Sequence, residues 1–179
     1  PTLLEVRHAT SGDPRRYVIN FLATTDGSPR SRLFQETKAS LTPTAWSEFL
    51  RRQVLPCLVD LPRPFRVALA VGGTSAEASL GTARRADGRE LDRLPDLGGE
   101  EGTPIRVRDL ESAFSALIEE ELKGNVSEEV CSQVRIIRLV RHGGSLPIGL
   151  YVGLPTDKRV RATLTPAGAD IVLDRLSSH

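Results

Sequence analysis

Alternating apolar and polar residues predict a β-hairpin at the start of the chain. Residues 16–24 read RYVINFLAT, in which alternation passes into the short apolar run typical of a strand. The segment SGDPRR just before it has the composition of a turn. Residues 3–8 and 16–24 are therefore expected to pair as antiparallel strands.

A helical period follows in residues 42–54. Thr42 is a suitable N-cap because its hydroxyl can accept a hydrogen bond from an unpaired amide of the first turn, and Pro43 is a suitable first helical residue because it has no amide hydrogen to leave unpaired. The apolar face of this helix carries Trp46, Phe49, Leu50 and Val54. The helix should end before Pro56 or run into the loop at 56–64.

A buried strand is predicted at residues 65–71, FRVALAV, and Gly72-Gly73 interrupts it. Thr74 and Glu77 have the spacing of a capping box and predict the next helix start. The polar stretch 86–104 reads as a long loop. A third helix begins near Asp109 and ends near Gly124.

The last third of the chain is predicted to be mostly strands. Three apolar-rich segments lie at 133–140, 148–153 and 158–164, and the short segment 170–176 is ambiguous between strand and helix. Strands and helices interleave without strict alternation, which favours an α/β (α+β) fold, a mixed β-sheet flanked by helices. The length of 179 residues suits a single domain, residues 1–179.

Charge and cysteine content narrow the functional classes. Lys plus Arg number 24 and Asp plus Glu 23, so no net field favours nucleic acid or a membrane surface. No apolar run reaches the roughly 20 residues of a membrane helix, and the first residues lack the pattern of a secretion signal. The two cysteines form no disulfide framework and no zinc motif, which favours a cytoplasmic protein without a bound metal.

The junction at residues 71–77 is the first candidate site. A helix start offers free amides and a partial positive charge to an anion, glycine lets a ligand approach the backbone, and hydroxyls add donors. Gly73, Thr74 and Ser75 are therefore candidate substrate-binding residues. The alternative is a tight turn with a cap that satisfies only itself.

The strand RIIRLVRHGGS at 135–145 is the second candidate site. Arg138 and Arg141 could bind a carboxylate, and His142 could act as an acid or base near neutral pH. The alternative is structural pairing of these arginines, with Asp109 and Glu111 as partners, and a structural histidine.

Several segments in order resemble the second half of the catalytic α region of class I iron–sulfur fumarases and L(+)-tartrate dehydratases. The resemblance rests on VALAVGGTSAEASLGTAR (67–84), RDLE (108–111) and VRIIRLVRHGGSLPIGL (134–150), with FQETKASLTP, LDRLPDLGGEEG and TDKRVRATLTPAG around them. It implies the fold of that region. It also implies an ancestral enzyme that adds water to small dicarboxylates, or removes it, at a 4Fe–4S cluster held by three cysteines.

The departures from the family fall on its metal chemistry. The resemblance places two of the cluster cysteines at Pro62 and Leu146, and the third in a section absent from this chain. The family's glycine-rich loop is replaced by ATTDGSPR (23–30), a histidine by Ser132, and its C-terminal swivelling domain has no counterpart. A truncated, cluster-less homologue without a cofactor is therefore expected.

Three functions are compatible with this pattern. The first is a repurposed, cluster-free enzyme that dehydrates, isomerises or cyclises a carboxylate- or carbonyl-bearing metabolite, with catalytic His142 and Arg141. The second is a non-catalytic module, either a homodimer or the partner of another fumarase-like subunit. The third is a redox or metal sensor that uses Cys57 and Cys131.

Overall fold

A computed structural model describes residues 2–8, 17–23, 30–37, 42–96, 103–124, 128–141 and 145–174. The chain divides into two units, one made of residues 1–28 and 155–179 and the other of residues 29–154. The expectation of a single domain over residues 1–179 stays a prediction.

Nine strands and three α-helices make up the described chain. The strands are β1 Thr2–His8, β2 Tyr17–Ala23, β3 Ser31–Thr37, β4 Phe65–Gly73, β5 Ile105–Arg106, β6 Cys131–Arg141, β7 Ser145–Gly153, β8 Lys158–Thr165 and β9 Gly168–Asp174. The helices are α1 Pro43–Phe49, α2 Ala76–Asp87 and α3 Arg108–Leu122. A π-helical turn at Leu50–Val54 and a 3₁₀ turn at Leu55–Cys57 continue α1.

The first unit is a four-stranded antiparallel sheet in the order β1-β2-β8-β9. Strands β1 and β2 pair as the predicted hairpin, with Val6 opposite Ile19. Strand β8 pairs with β2 and with β9, so the ambiguous segment near the end of the chain is a strand.

The second unit contains a five-stranded mixed sheet in the order β3-β7-β4-β6-β5. Strand β4 is parallel to β6 and antiparallel to β7, and among the described strands β3 pairs only with β7. The predicted mixed sheet flanked by helices is therefore confirmed. Strand β3 is an addition, because the sequence pattern did not predict it.

Each face of this sheet packs on a different helical layer. One face buries Leu69, Ile136 and Ile148 in a core that α1 and α3 complete with Phe49 and Phe114. On the opposite face, Ala68, Ala70 and Gly149 are small, and α2 packs against β4 and β7. At Gly149 the backbone of Ser79 lies so close that a methyl group would meet its carbonyl oxygen at 2.7 Å.

The start of α1 is as predicted, since the hydroxyl of Thr42 accepts a hydrogen bond from the amide of Ala45 at 3.3 Å. The predicted apolar face is confirmed as well: Trp46, Phe49, Leu50 and Val54 are all buried. No helix in the described ranges is long and apolar enough to cross a bilayer.

Candidate functional site

Four strand ends meet at one edge of the five-stranded sheet. The parallel strands β4 and β6 end there, and Gly73 pairs with Arg141 after a bulge that follows the pair of Val71 with Arg138. Strand β7 begins at the same edge with Ser145, which pairs with Thr37 at the end of β3. Because ligands of α/β sheets bind beyond the carboxyl ends of parallel strands, this edge is the candidate site.

Glycine is required where β4 leaves the sheet. Gly72 and Gly73 have φ angles of +94° and +109°, which other residues rarely adopt. A Cβ atom at Gly73 would also lie 3.2 Å from both Leu139 Cδ1 and Ser79 Oγ. The buried hydroxyl of Ser79 donates a hydrogen bond to the Gly72 carbonyl and fixes the turn from inside.

Ser75, not Thr74, caps α2. The Ser75 hydroxyl accepts a hydrogen bond from the amide of Ala78 at 3.1 Å. The predicted capping box between Thr74 and Glu77 is therefore wrong, because the two glycines carry the extended chain one residue further before the helix begins. Thr74 is exposed beside the turn.

The first amides of α2 remain open to a ligand. Within the described ranges, the amides of Ala76 and Glu77 make no hydrogen bond to protein, whereas those of Ala78 and Ser79 are bonded to Ser75. Together with the helix dipole, these donors favour a carboxylate or another oxyanion next to Gly73.

The structure brings some of the predicted site residues together. Gly73 adjoins the main chain of Arg141 through the register of β4 and β6, and Thr74 and Ser75 follow Gly73 directly in the chain. The side chain of Arg141 and the whole of His142 lie outside the described residues. Arg138 is exposed and belongs to the face of β6 that carries Ile136, which is opposite to α2. The assignment of these residues to a site stays a prediction.

The arginine of β6 that forms an ion pair does so with an acid that the sequence did not suggest. Arg135 bonds both carboxylate oxygens of Asp92, at 2.7 and 3.1 Å. Asp109 and Glu111, which the sequence suggests as structural partners for arginines of this strand, do not pair with Arg135. Asp92 lies in the polar loop after α2, 43 residues away in the chain, and only the fold places it there.

Glu111 instead ties α3 to the sheet. It accepts from Arg106 at 2.7 Å and from the main-chain amide of Ile136 at 2.9 Å. Arg106 and Glu111 are 8% and 7% exposed, so this is a buried, hydrogen-bonded ion pair. Glu111, the second acid of the RDLE segment, thus has a structural role.

The carboxylate of Asp92 contacts both Arg135 and Arg106. Burial opposes its ionisation, but the hydrogen bond and charge of Arg135, with the charges of Arg106 and Arg89, lower the pKa of Asp92 below its ordinary value. A lowered carboxyl pKa stabilises the fold above the ordinary value, and this stabilisation is lost as the pH falls through the folded-state value.

Replacing Asp92 with asparagine is therefore expected to lower the melting temperature at pH 7. It should also flatten the loss of stability of the wild-type protein between about pH 5 and pH 3. Thermal unfolding followed by circular dichroism across that range measures both effects. Asp60→Asn, at an exposed position, is the control. Equal pH slopes for the Asp92 variant and the wild type would show that Asp92 carries no linkage.

The cysteines do not fit the cluster that the sequence resemblance implies. The chain has two cysteines, whereas that cluster takes three. Burial raises the pKa of the Cys131 thiol to about 12, and it also raises the pKa of Cys57. Cys131 pairs with Phe65 at the start of β4, about 26 Å from Gly73 at the end of that strand. No group of three His, Cys, Asp or Glu side chains able to hold a metal occurs in the described segments.

The two positions assigned to cluster cysteines are themselves incompatible. Pro62 precedes the start of β4, whereas Leu146 lies near its end, in the register that pairs Val71 with Ile148. Since a cluster contacts its thiolates directly, residues at both positions could not hold one cluster. At least one of the two assignments is wrong, and Leu146 is a fully buried core residue.

Sequence reasoning missed the residues that shape the site from behind. Ser79 follows the capping residue by four positions and resembles any small helical residue, so its bond to Gly72 had no sequence signal. A second buried pair, at the end of β4 away from Gly73, also lacks a sequence signal: Arg66 of β4 bonds Asp87 of α2 at 3.0 Å beside Gly153. Both contacts depend on the packing of α2.

Comparison with known proteins identifies homologues along most of the chain. The anaerobic class I fumarate hydratase of Escherichia coli K12 is 33% identical over 167 residues, or 90% of this chain and 30% of the relative. The aerobic class I enzyme of the same strain is 32% identical over 166 residues, again 90% and 30%. Fumarate hydratase 2 of Leishmania major is 32% identical over 166 residues, or 91% of this chain and 29% of the relative. No protein-family profile matches the chain.

Proposed function

We propose, from the premise that this chain is a homologue of class I fumarate hydratases spanning about 30% of their length, that it is a cluster-free, cytoplasmic enzyme of non-redox chemistry. The substrate is a metabolite bearing a carboxylate or a carbonyl group. The reaction is a dehydration, an isomerisation or a cyclisation. The observation that carries the proposal is the register of Gly73 with Arg141 at the start of α2.

The strand ends supply complementary groups for such a substrate. The open amides of Ala76 and Glu77 would hold one oxyanion at the positive end of α2. Arg141, whose main chain adjoins Gly73, would bind a carboxylate through its guanidinium group. The hydroxyls of Thr74 and Ser75 add donors at the same edge, whereas Arg138, on the opposite face of the sheet, is left out of this arrangement.

His142 follows Arg141 directly and is the proposed acid and base. It would take a proton from the carbon next to the carbonyl, and the electron pair would move onto the carbonyl oxygen, where the helix amides stabilise it. In a dehydration the imidazolium would return that proton to the departing hydroxyl group, which leaves as water. In an isomerisation the proton would return to a different carbon.

The donor set is consistent with chemistry that does not pass through a cluster. Two cysteines with raised pKa values cannot replace three thiolates. Acid–base catalysis by an imidazole with oxyanion donors needs none of them.

Binding and turnover can be tested separately with fumarate and L-malate as probes. Fumarate should shift the amide resonances of Ala76 and Glu77 in ¹⁵N-correlated spectra, and Arg141→Ala should weaken binding about tenfold or more. If either probe is converted, proton NMR should show His142→Ala reducing the rate by about 100-fold or more. His8→Ala, on β1, is the matched control.

Formate at the same ionic strength distinguishes a dicarboxylate site from general anion binding. Equal shifts with formate and fumarate, or shifts spread over the surface without a maximum at α2, would contradict the proposed site. Full activity of a folded His142→Ala variant would contradict the catalytic role.

A second candidate function is a non-catalytic module that forms a homodimer or pairs with another fumarase-like chain. This function is favoured because the chain spans about 30% of the length of its relatives. It is also favoured by exposed large apolar side chains, among them Phe21 and Ile171. In this case the strand edge of β4 and β6 would be a structural remnant. Wild-type protein that binds neither fumarate nor L-malate at millimolar concentration would favour this function.

A further inference from the structure

The outer edge of β6 is paired along only part of its length. Its neighbour on the side away from β4 is β5, which has two residues and pairs with Ile137 and Arg138. Among the described strands, none pairs with the outer edge of residues 131–135. An open strand edge of this kind presents main-chain N–H and C=O groups to a further strand.

The hydrogen bonds of Ile136 show which residues of β6 point outward. Its carbonyl accepts from the amide of Val107 at 2.9 Å, and its amide donates to Glu111 at 2.9 Å. In a parallel ladder the two main-chain groups of one residue point to the same side, and successive residues alternate. Val134, two residues before Ile136, therefore also directs its amide and carbonyl away from β4.

The amide of Val134 lies between two amides that α3 satisfies. Glu119 accepts from the Val130 amide at 3.3 Å, as Glu111 does from Ile136. Among the described residues, none accepts a hydrogen bond from the Val134 amide, although Val134 is only 6% exposed. An amide in this position lowers the free energy of the protein when an acceptor reaches it.

A cavity of about 470 Å³ lies along this edge, between β6 and α3. Its strand side consists of the successive residues 132–135, whose side chains alternate between the two faces, so the cavity lies at the edge of the sheet and not on one face. Its helix side is formed by small residues, Ser112, Ser115 and Ala116. The volume is within the range of pockets that hold ligands.

The cavity has an excess of negative charge. Its lining contains three glutamates and one basic residue, Arg135, which is bonded to Asp92. Glu129 is exposed and forms no ion pair with another described residue. Burial is the main cause that raises the pKa of the Cys131 thiol to about 12, and the charges of Glu119 and Glu129 add to it. The field in the cavity therefore favours a cationic ligand.

We propose that an extended, Lys- or Arg-rich peptide segment of another protein adds to the outer edge of β6 in line with β5. A carbonyl of the segment would accept from the Val134 amide, and an amide of the segment would donate to the Val134 carbonyl beside Arg135. Its basic side chains would face Glu119 and Glu129. Strand addition of this kind gains affinity from main-chain hydrogen bonds and selectivity from side chains. A small cation would leave the Val134 amide without an acceptor.

Titration of the full chain with the peptide acetyl-Lys-Val-Lys-Val-Lys-amide tests the proposal. In ¹⁵N-correlated spectra the Val134 amide should shift most, with a dissociation constant of ~1 mM or below. Ser112→Trp fills the cavity with an indole and should raise the constant at least ~tenfold. Ala113→Trp, at an exposed position of α3 that does not line the cavity, should leave it unchanged. Glu129→Lys should raise it about threefold at low salt and less at high salt.

Two further ligands separate strand addition from attraction between charges. The same peptide with every backbone amide methylated keeps its charges but cannot donate to the strand, so it should bind at least ~tenfold more weakly. Spermidine should not shift the Val134 amide. Equal binding of either ligand, or no shift of Val134 at about 5 mM peptide, would overturn the proposal. Because binding at β6 is measured without turnover, the outcome is independent of the catalytic proposal.

Discussion

Alanine in place of Gly149 is expected to destabilise the second unit by about 3 kcal/mol, which corresponds to a melting temperature lower by roughly 10 °C. The added methyl would lie 2.6 Å from the carbonyl carbon of Ser79 and 2.8 Å from the amide nitrogen of Leu80. Both atoms are backbone of α2, so no side-chain rotation relieves the clash and the helix must move off the sheet.

Gly81→Ala is the matched control for this effect. Gly81 lies in the same helix, but nothing lies within 4 Å of the Cβ that alanine would add. Alanine should therefore stabilise α2 by up to about 1 kcal/mol through its helix propensity. Chemical denaturation of the three proteins measures the difference. A Gly149→Ala variant as stable as the wild type would mean that α2 does not pack on β7 as described.

Removal of the Glu111 carboxylate is the second large effect. Glu111→Ala is expected to cost about 3–5 kcal/mol, because it leaves the buried guanidinium of Arg106 without its counter-charge and the Ile136 amide without an acceptor. The variant should unfold at a clearly lower denaturant concentration. The contact of α3 with β6 should be the first region to exchange its amide hydrogens.

Asp109→Ala tests whether this loss is specific to Glu111. Asp109 belongs to the same RDLE segment and is exposed in the first turn of α3. Its removal should cost no more than about 0.3–1 kcal/mol, the usual contribution of an acid near a helix N-terminus. Similar losses in both variants would show that charge at the helix start, not the buried pair, stabilises this region.

Local patterns predicted the elements whose determinants lie within a few residues. The cap at Thr42 and the buried run at residues 65–71 are of this kind, and both are confirmed. Strand β3 was missed because its seven residues alternate only weakly in burial and because β7, its partner among the described strands, is more than 100 residues away. Nothing near β3 in the sequence specifies that pairing.

In the candidate site, too, the features set by neighbouring residues were predictable and those set by distant contacts were not. The sequence predicted the end of the strand at residues 72–73 from its two glycines, and it predicted the helix from the capping residues that follow them. The choice between the hydroxyls of Thr74 and Ser75 as the cap of α2 depends on backbone angles that the sequence does not give. The sequence pattern therefore favoured Thr74, whereas Ser75 is the cap. The partner of Arg135 was unpredictable for a related reason, because Asp92 reaches it only through the packing of the loop after α2.

The position of β4 between β6 and β7 sets an order for assembly on the ribosome. Strands β6 and β7 follow each other in the chain but lie on opposite sides of β4, and β3 pairs with neither β4 nor β6. Among the described strands β7 is the only partner of β3, so during synthesis β3 emerges early and stays unpaired until β7 has been translated. A nascent chain that stalls after β6 would expose both β3 and one edge of β4 to chaperones or to other nascent chains.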